Sequence, residues 1–476
     1  MKIFLFYTTL IVSIVLFNTH AHGQDFSGSW KGKLDVGTME MRINIHITPS
    51  ESGPYSGTFD SPDQGAYDLP FTSVVVVDGE LTCTNESMGI VLTATFVEDD
   101  DLEARWMQGG MAFPISFKRA EGAIEREKKA QDPEPPFPYE EEFLFVVNEQ
   151  GDTIHGTLTL PNNVKKAPVV ILVTGSGPQN RDSEILGHRP FLVLADYLSR
   201  QGIAVFRYDE RGVGESGGDF LTATSRDFAS DAALIVQMIA KHKNIDNRRI
   251  GVYGHSEGAM VAAILNAEFI NPNFIILAAG PGVPIPELLR KQSDDILKTQ
   301  GATRSKRDEI NSLNTDIYNF LVNSEDLESA AIKINEYFNK LMVEAEKEND
   351  EDKLQRIVET KKSIRENVIT PWFHFFIKFD PEHYYGQINV PTLIINGKKD
   401  LQVWWEDNPT AIQRIITESG NKQVEMKIYD DINHLFQTAE TGSPMEYAGN
   451  EETFNKKIMA DIAEFINAQK AGKRIT

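Results

Sequence analysis

The chain has 476 residues, of which 41% are hydrophobic and 25% are charged, the balance of an ordinary globular protein rather than a collagen-like or disordered one. This length predicts two or three domains, because domains typically contain roughly 100–200 residues. The 47 basic and 70 acidic residues give a net charge of −23, which disfavours nucleic acid as a partner because phosphate groups are repelled. The single cysteine, Cys83, excludes an intrachain disulfide and a cysteine-based metal cluster.

The first 23 residues have the pattern of a secretory signal peptide. Lys2 precedes an apolar run, Ile3–Phe17, and the small residues Ala21 and Gly23 stand at the −3 and −1 positions of a cleavage site. The run is short for a membrane span, which needs about 20 apolar residues, so stable membrane insertion is not expected. We expect cleavage near Gly23 and export to the periplasm or the medium. An uncleaved anchor is the alternative.

Residues 24–120 are predicted to form a small all-β domain. Residues 39–47 alternate apolar and polar side chains, as a strand with one buried face does. Further short strands follow, and seven or eight of them predict an antiparallel barrel or sandwich. Trp30 and Trp106 are expected in its core, with a ligand cavity as the alternative. The charged and then proline-rich stretch 121–140 is interpreted as a linker.

From residue 141 to 476 strands alternate with helices. A predicted hairpin is followed by Val169–Thr174, a continuous apolar run of the kind found in a strand buried on both faces. Such alternation predicts a mostly parallel sheet with helices on both faces. The pattern stops near Gly280 and resumes at Val390, and the intervening region, about 282–380, has helical spacing. It is predicted to be a helical cap, with a solvated excursion as the alternative.

The residues that point to chemistry are Gly254-His255-Ser256-Glu257-Gly258. This G-x-S-x-G pattern follows a predicted strand, Ile250–Tyr253, and precedes an alanine-rich stretch that can be helical. Glycines are needed because the turn is sharp and its backbone segments crowd each other. The pattern predicts that Ser256 is an exposed nucleophile at the N-terminus of a helix.

A serine nucleophile needs a base and a carboxylate that orients the base. Asp400 follows a predicted strand, Thr392–Asn396, and His434 follows the next one, Val424–Tyr429. The chain order Ser, Asp, His is that of the α/β-hydrolase fold, so we predict Asp400 and His434 as these partners. The competing residues are His255, His374 and His383 for the base, and Glu406 and Asp407 for the carboxylate.

The developing oxyanion of such a reaction needs two N–H donors. One is expected to be the amide of Glu257, the residue after the nucleophile. The other should come from the loop after Val169–Thr174, where we favour the amide of Ser176 over that of Gly177. A plain glycine turn is the alternative interpretation of this loop.

Several motifs together resemble those of bacterial EstD-type esterases of the α/β-hydrolase superfamily. Besides the G-x-S-x-G pattern they are the segments 174–182, 207–216, 379–381 and 396–403. The resemblance extends from about Glu140 to Ile466. It implies a carboxylic ester hydrolase for short acyl chains, an extra N-terminal β domain, and a triad of Ser256, Asp400 and His434. The turn around Asp209 and Arg211 is interpreted as ion-paired and structural.

Three classes of function are compatible with these patterns. The first is an exported serine hydrolase acting on a small-molecule ester. The second is a serine peptidase or aminopeptidase on the same fold, and the third is a non-catalytic ligand-binding protein that uses the β domain. No cofactor and no metal are expected, because neither an H-E-x-x-H motif nor a spaced set of ligands is present in the sequence. The natural acyl and alcohol groups and the oligomeric state are not encoded in these patterns.

Overall fold

A computed structural model describes residues 25–35, 40–49, 55–64, 66–85, 88–98, 100–108, 111–122, 124 and 128–475. The chain divides into two compact units, Met1–Glu125 and Arg126–Thr476. The predicted signal peptide, residues 1–23, lies outside the described residues.

The first unit is a single curled antiparallel sheet. Its strands are β1 (Gly28–Asp35), β2 (Glu40–Thr48), β3 (Ser56–Ser61), β4 (Ala66–Pro70), β5 (Ser73–Val77), β6 (Glu80–Asn85), β7 (Ile90–Glu98), β8 (Asp101–Gln108) and β9 (Met111–Arg119). The spatial order is β4-β3-β2-β1-β9-β8-β7-β6-β5, so β1 pairs with β9 and the sheet ends at β4 and β5. The prediction of an all-β domain is confirmed, but its count of seven or eight strands was too low.

The concave core of this unit is filled by side chains that alternate along the strands. Trp30 is fully buried and its indole N–H donates to the Phe26 carbonyl at 3.0 Å. Trp106 is buried against Phe59, with the ring centroids 5.3 Å apart in an edge-to-face arrangement. Both tryptophans therefore serve the core, as predicted.

The second unit is built on an eight-stranded sheet. Its strands are β10 (Tyr139–Val147), β11 (Thr153–Pro161), β12 (Ala167–Val173), β13 (Ala204–Tyr208), β14 (Ile245–His255), β15 (Phe274–Ala278), β16 (Thr392–Gly397) and β17 (Val424–Tyr429). Their order is β10-β11-β13-β12-β14-β15-β16-β17. The first two strands join antiparallel and the remaining ladders are parallel, which confirms the predicted α/β class.

Helices cover both faces of this sheet. They are α1 (Pro190–Arg200), α2 (Ser225–Ala240), α3 (Glu257–Ile264), α4 (Ile285–Thr299), α5 (Arg304–Val322), α6 (Leu327–Glu348), α7 (Glu351–Asn367), α8 (Pro371–Phe376), α9 (Pro381–Tyr385), α10 (Asn408–Glu418) and α11 (Lys456–Ala468). One apolar core lies under α1 and α11 and a second under α2, α3 and α10. Strands β12, β13, β15 and β16 are buried along their whole length, and β12 has the continuous apolar sequence that predicted it.

The predicted helical cap consists of α4 to α8 and lies between β15 and β16. Helices α5 and α6 bury Ile317, Leu321, Ile334 and Phe338 in the core shared with the sheet. Helix α7 has no fully buried residue, but its Ile357 and Ile364 are partly buried against the same core. The insertion as a whole is thus packed, and α7 is its most exposed helix with a long charged sequence.

The linker prediction is wrong for its described C-terminal part. Asp132 is buried and accepts from Arg189 at 2.7 Å, and the Gln131 amide donates to the Phe454 carbonyl at 2.8 Å. Strand β10 already begins at Tyr139, inside the predicted linker. Residues 129–132 therefore pack on other parts of the second unit, because an ion pair and hydrogen bonds from side chains to backbone carbonyls hold them there, whereas residues 134–138 are exposed. Residues 123 and 125–127 lie outside the described residues.

Candidate active site

Ser256 stands at the turn between β14 and α3. Its backbone φ is +57°, a strained value for a residue other than glycine, as expected for a nucleophile elbow. The flanking glycines are required by contact: a Cβ on Gly254 would lie 2.0 Å from the Gly258 carbonyl oxygen. A Cβ on Gly258 would lie 2.3 Å from the Val173 carbonyl oxygen. The motif therefore folds as the sequence predicts.

The structure brings the three predicted residues into one hydrogen-bonded chain. His434 Nε2 lies 3.1 Å from Ser256 Oγ, and His434 Nδ1 lies 2.8 Å from Asp400 Oδ2. A carboxylate only accepts, so Nδ1 carries the proton and Nε2 is free to accept from the serine hydroxyl. Asp400 and His434 are almost fully buried, and Asp400 Oδ1 accepts two further backbone N–H groups, those of Gln402 and Val403, each at 2.8 Å.

Two loops that follow neighbouring parallel strands position Asp400 and His434. The amide of Lys399 donates to the Ile432 carbonyl at 2.9 Å, which joins the loop after β16 to the loop after β17. The side chain of Asn433 accepts from the amides of Leu435 and Gln437 and thereby shapes the turn that carries His434. Because both strands end at the same edge of the sheet, His434 and Asp400 meet above Ser256.

The competing histidines lie elsewhere or have other partners. His255 is partly buried and donates from Nε2 to the His434 carbonyl at 2.8 Å. Burial, aided by the neighbouring imidazole, lowers the pKa of His255 to about 3, so this ring is neutral and holds the backbone of His434 in place. His383 contacts Gln387 and Tyr384 at the end of the insertion. His374 lines a cavity of about 500 Å³ with residues of α8 and α9.

The alternative carboxylates have structural positions. Asp407 accepts from the indole N–H of Trp404 at 2.9 Å before α10 begins. Glu406 is exposed, and its carbonyl accepts from the Thr410 hydroxyl. The structure thus places Asp400, and neither of these two residues, next to the imidazole of His434.

The predicted oxyanion donors lie on the two segments that flank Ser256. Glu257, which supplies one of the two amides, directly follows Ser256 in the chain. On the other side the loop after β12 passes so close that a Cβ on Gly175 would lie 3.1 Å from Ser256 Cβ. Ser176 follows this glycine directly, and Gly177 has a φ of +94° that bends the loop away. The assignment of the Ser176 amide as the second donor stays a prediction.

A buried carboxyl holds both ends of this loop. Glu210 Oε1 lies 2.5 Å from the Thr174 hydroxyl, and Oε2 accepts from the Gln179 amide at 3.0 Å. Burial raises the pKa of Glu210 to about 8, against hydrogen bonds that lower it. The sequence motif next to it is ion-paired as predicted: Asp209 binds Arg181, and Arg211 binds Asp231.

Glu210→Gln is expected to change how stability depends on pH. An ordinary glutamate has a pKa of about 4.3, so between roughly pH 4.5 and 8 folded Glu210 keeps a proton that the unfolded chain releases. Its contribution to stability is therefore complete at low pH and is lost as the pH rises to about 8, by up to ~1.4 kcal/mol per pH unit. Urea unfolding across this range should show the free energy of unfolding of the wild type falling relative to the variant. Glu149→Gln, at an exposed glutamate, is the control. If it alters the pH dependence of the free energy of unfolding as much as Glu210→Gln does, the explanation from burial of Glu210 is wrong.

Comparisons with known proteins agree with this geometry. A family described as serine aminopeptidase, S33, matches residues 189–307. Esterase EstD of Thermotoga maritima is 25% identical over 358 residues, which cover 75% of this chain and 74% of that protein. Together with the sheet order and the turn that carries Ser256, this likeness indicates the fold of the second unit. It is the α/β-hydrolase fold.

Solved structures also match this hydrolase. An esterase of Pyrococcus furiosus is 16% identical, with a TM-score of 0.42, 69% of this chain covered and 91% of that one. The α/β hydrolase GrgF of a Penicillium species is 17% identical, with a TM-score of 0.42, and covers 69% of this chain and 98% of that one.

Two groups near the site of the hydrolase were missed in the sequence. The Glu257 side chain accepts from Trp372 of α8 and from Ser225 of α2, at distances of 2.8 and 2.6 Å. No local pattern points to either donor, because they are far from Glu257 along the chain. Within the described residues, no group of three or more His, Cys, Asp or Glu side chains is arranged to hold a metal ion.

Proposed function

We propose that this hydrolase cleaves carboxylic esters through an acyl-enzyme on Ser256. The observation that carries the proposal is the chain of contacts from Ser256 Oγ to His434 Nε2, 3.1 Å, and from His434 Nδ1 to Asp400 Oδ2, 2.8 Å. Hydroxyl, imidazole and buried carboxylate in this order are what activates a serine for attack on a carbonyl.

The reaction proceeds in two halves. The Ser256 oxygen attacks the ester carbonyl while His434 Nε2 takes its proton, and Asp400 stabilises the imidazolium that forms. The amides of Glu257 and Ser176 donate to the oxyanion of the tetrahedral intermediate. His434 then protonates the leaving alcohol as the bond from the acyl carbon to the alcohol oxygen breaks. In the second half water attacks the acyl carbon while His434 takes the water proton, and His434 then returns that proton to Ser256 Oγ as the bond from the acyl carbon to Oγ breaks, which releases the carboxylic acid.

The substrate class and the location of the enzyme are parts of the same proposal. The likeness to an esterase supports a small-molecule ester, and we propose a short acyl chain and export after cleavage near Gly23. None of the helices described in the structure combines the length and apolar character needed to cross a membrane. N-terminal sequencing of the protein recovered from expressing cells, with Gln24 as the expected first residue, tests the cleavage.

The described similarity to serine aminopeptidases makes peptide hydrolysis the second candidate. A panel of p-nitrophenyl esters of increasing acyl length, run beside aminoacyl p-nitroanilides, separates the two. We expect turnover of acetyl and butyryl esters and at most traces of anilide cleavage. Faster cleavage of the anilides than of any ester would assign the enzyme to the peptidases.

Catalysis is expected to need the second unit alone. Ser256, Asp400 and His434 all belong to it, as do the loops that position them. A chain that starts at Lys128 should hydrolyse p-nitrophenyl acetate within about threefold of the full-length rate, since a compact unit with its own core can fold alone and this one holds all three residues. One that starts at Pro138 should melt at a lower temperature because it loses the contact between Asp132 and Arg189. A folded but inactive chain from Lys128 would show that the first unit takes part in catalysis.

A further inference from the structure

The side chain of Glu257 joins three segments beside the nucleophile. It is buried, and its Oε1 accepts from the Trp372 indole N–H at 2.8 Å and from the Ser225 hydroxyl at 2.6 Å. An indole N–H can only donate, so the carboxyl oxygen is the acceptor at this position. Burial raises the pKa of this carboxyl, against the hydrogen bonds from Ser225 and Trp372 that lower it. The elbow, the insertion and the start of α2 therefore meet at one oxygen atom.

The insertion presents its indole to this carboxyl in a fixed orientation. Trp372 is stacked on Phe376 with ring centroids 5.0 Å apart and meets Phe373 edge to face at 5.8 Å. Helix α8 starts at Pro371, and the Thr370 hydroxyl accepts from the Phe373 amide at 3.1 Å. A capped helix with a packed ring has little freedom to turn the N–H elsewhere.

A buried carboxyl at the start of α3 costs more stability than an apolar side chain would, unless hydrogen-bond donors offset the cost. All eight residues of α3 are buried, and apart from Glu257 they are apolar or glycine. Burying a carboxyl in such a setting carries a desolvation penalty that an apolar side chain of the same size avoids. The penalty is offset here by donors from two other elements, so what the carboxyl adds over an apolar residue is a directed link between them.

We propose that Glu257 and Trp372 are positioning residues that fix the helical insertion on the nucleophile elbow. This inference rests on the proposed function, in which the Glu257 amide is an oxyanion donor. Trp372 holds the side chain of that same residue. The position of α8 and the direction of the Glu257 backbone N–H therefore depend on each other. Loss of the indole N–H leaves the buried carboxyl with only the Ser225 hydroxyl as a donor to Oε1 and lets the first turn of α3 and helix α8 shift apart.

The test is the conservative variant Trp372→Phe, which keeps an aromatic ring and removes only the donor. We expect kcat for p-nitrophenyl acetate to fall about tenfold with KM within about twofold, since the link acts on the oxyanion and not on binding. The rate at which a fluorophosphonate labels Ser256, with release of fluoride, should fall by a similar factor because its P=O oxygen needs the same donors. Glu257→Gln, whose amide oxygen still accepts from Trp372, should keep most of the rate, whereas Glu257→Leu should lose it.

Tyr337→Phe is the matched control, because it removes one hydrogen bond, to Asp316, inside the insertion. It should leave both rates unchanged. If Trp372→Phe does not fold, Glu257→Gln and Glu257→Leu decide the inference, because only the glutamine keeps a side-chain oxygen that accepts from Trp372. Unchanged labelling in a folded Trp372→Phe or Glu257→Leu overturns the inference. A wild type that is labelled at Ser256 but turns over no ester overturns only the proposed ester substrate, and the labelling rates still decide the inference.

Discussion

Ser256→Ala is expected to abolish ester hydrolysis while the protein stays folded. Removal of the nucleophile of a serine triad lowers turnover by a factor on the order of 10⁶, because no neighbouring group replaces the attacking oxygen. The substitution removes one partly exposed hydroxyl whose hydrogen bond to His434 is 3.1 Å long, so little stability is lost with it. Steady-state hydrolysis of p-nitrophenyl acetate and a thermal melt of both proteins measure the two effects.

The control for this substitution is Ser305→Ala on the exposed surface of α5. It should hydrolyse esters at the wild-type rate. Residual activity of Ser256→Ala within about tenfold of the wild type, in a protein with an unchanged melt, would mean that another group attacks the ester.

His434→Ala is the second substitution with a large expected effect, a loss on the order of 10⁴-fold or more in kcat. Its Nε2 is the base in hydrogen-bonding contact with Ser256, and its Nδ1 proton is held by Asp400. His374→Ala and His383→Ala should retain most of the rate, because their side chains line a cavity or pack at the end of the insertion. Stopped-time assays over several hours are needed to measure the slow variant.

An inactive His383→Ala beside an active His434→Ala would contradict this assignment. Such a result would mean that the loop after β17 does not carry the base. All three variants need a thermal melt, since His434 is buried and its loss leaves space next to His255.

The reactive residues were predictable because each is tied to a local pattern. Gly254 and Gly258 stand where any Cβ collides with backbone, so the sequence around Ser256 marks the sharp turn by itself. Asp400 and His434 could be found because each follows a recognisable strand, the apolar β16 for Asp400 and the alternating β17 for His434, and the carboxyl ends of parallel strands share one edge.

The contacts around the triad were not predictable, because they join residues far apart in sequence. Trp372 and Glu257 are separated by 115 positions, and Trp372 lies in an insertion whose packing follows from no repeat or motif. The same reason explains the incorrect linker: Gln131 meets Phe454 at a separation of 323 residues. A proline-rich and charged sequence resembles a spacer unless its distant partners are known.

The strand count of the first unit failed for a different reason. The short strand β4, Ala66–Pro70, lies at the end of the sheet and ends in a proline, so its sequence carries little of the alternation that marks a half-buried strand.

The central claim is that the serine of the elbow carries the acyl group, and it is tested most directly by trapping that group. The protein is mixed with excess p-nitrophenyl acetate, quenched in acid within the first turnovers, digested and measured by mass spectrometry. We expect one acetylated peptide, the one that contains Ser256. The level of this peptide should be higher in His434→Ala than in the wild type if the substitution slows deacylation more than acylation. Acetylation at any other residue, or p-nitrophenol release in a burst with no acyl group on the Ser256 peptide, would contradict the account.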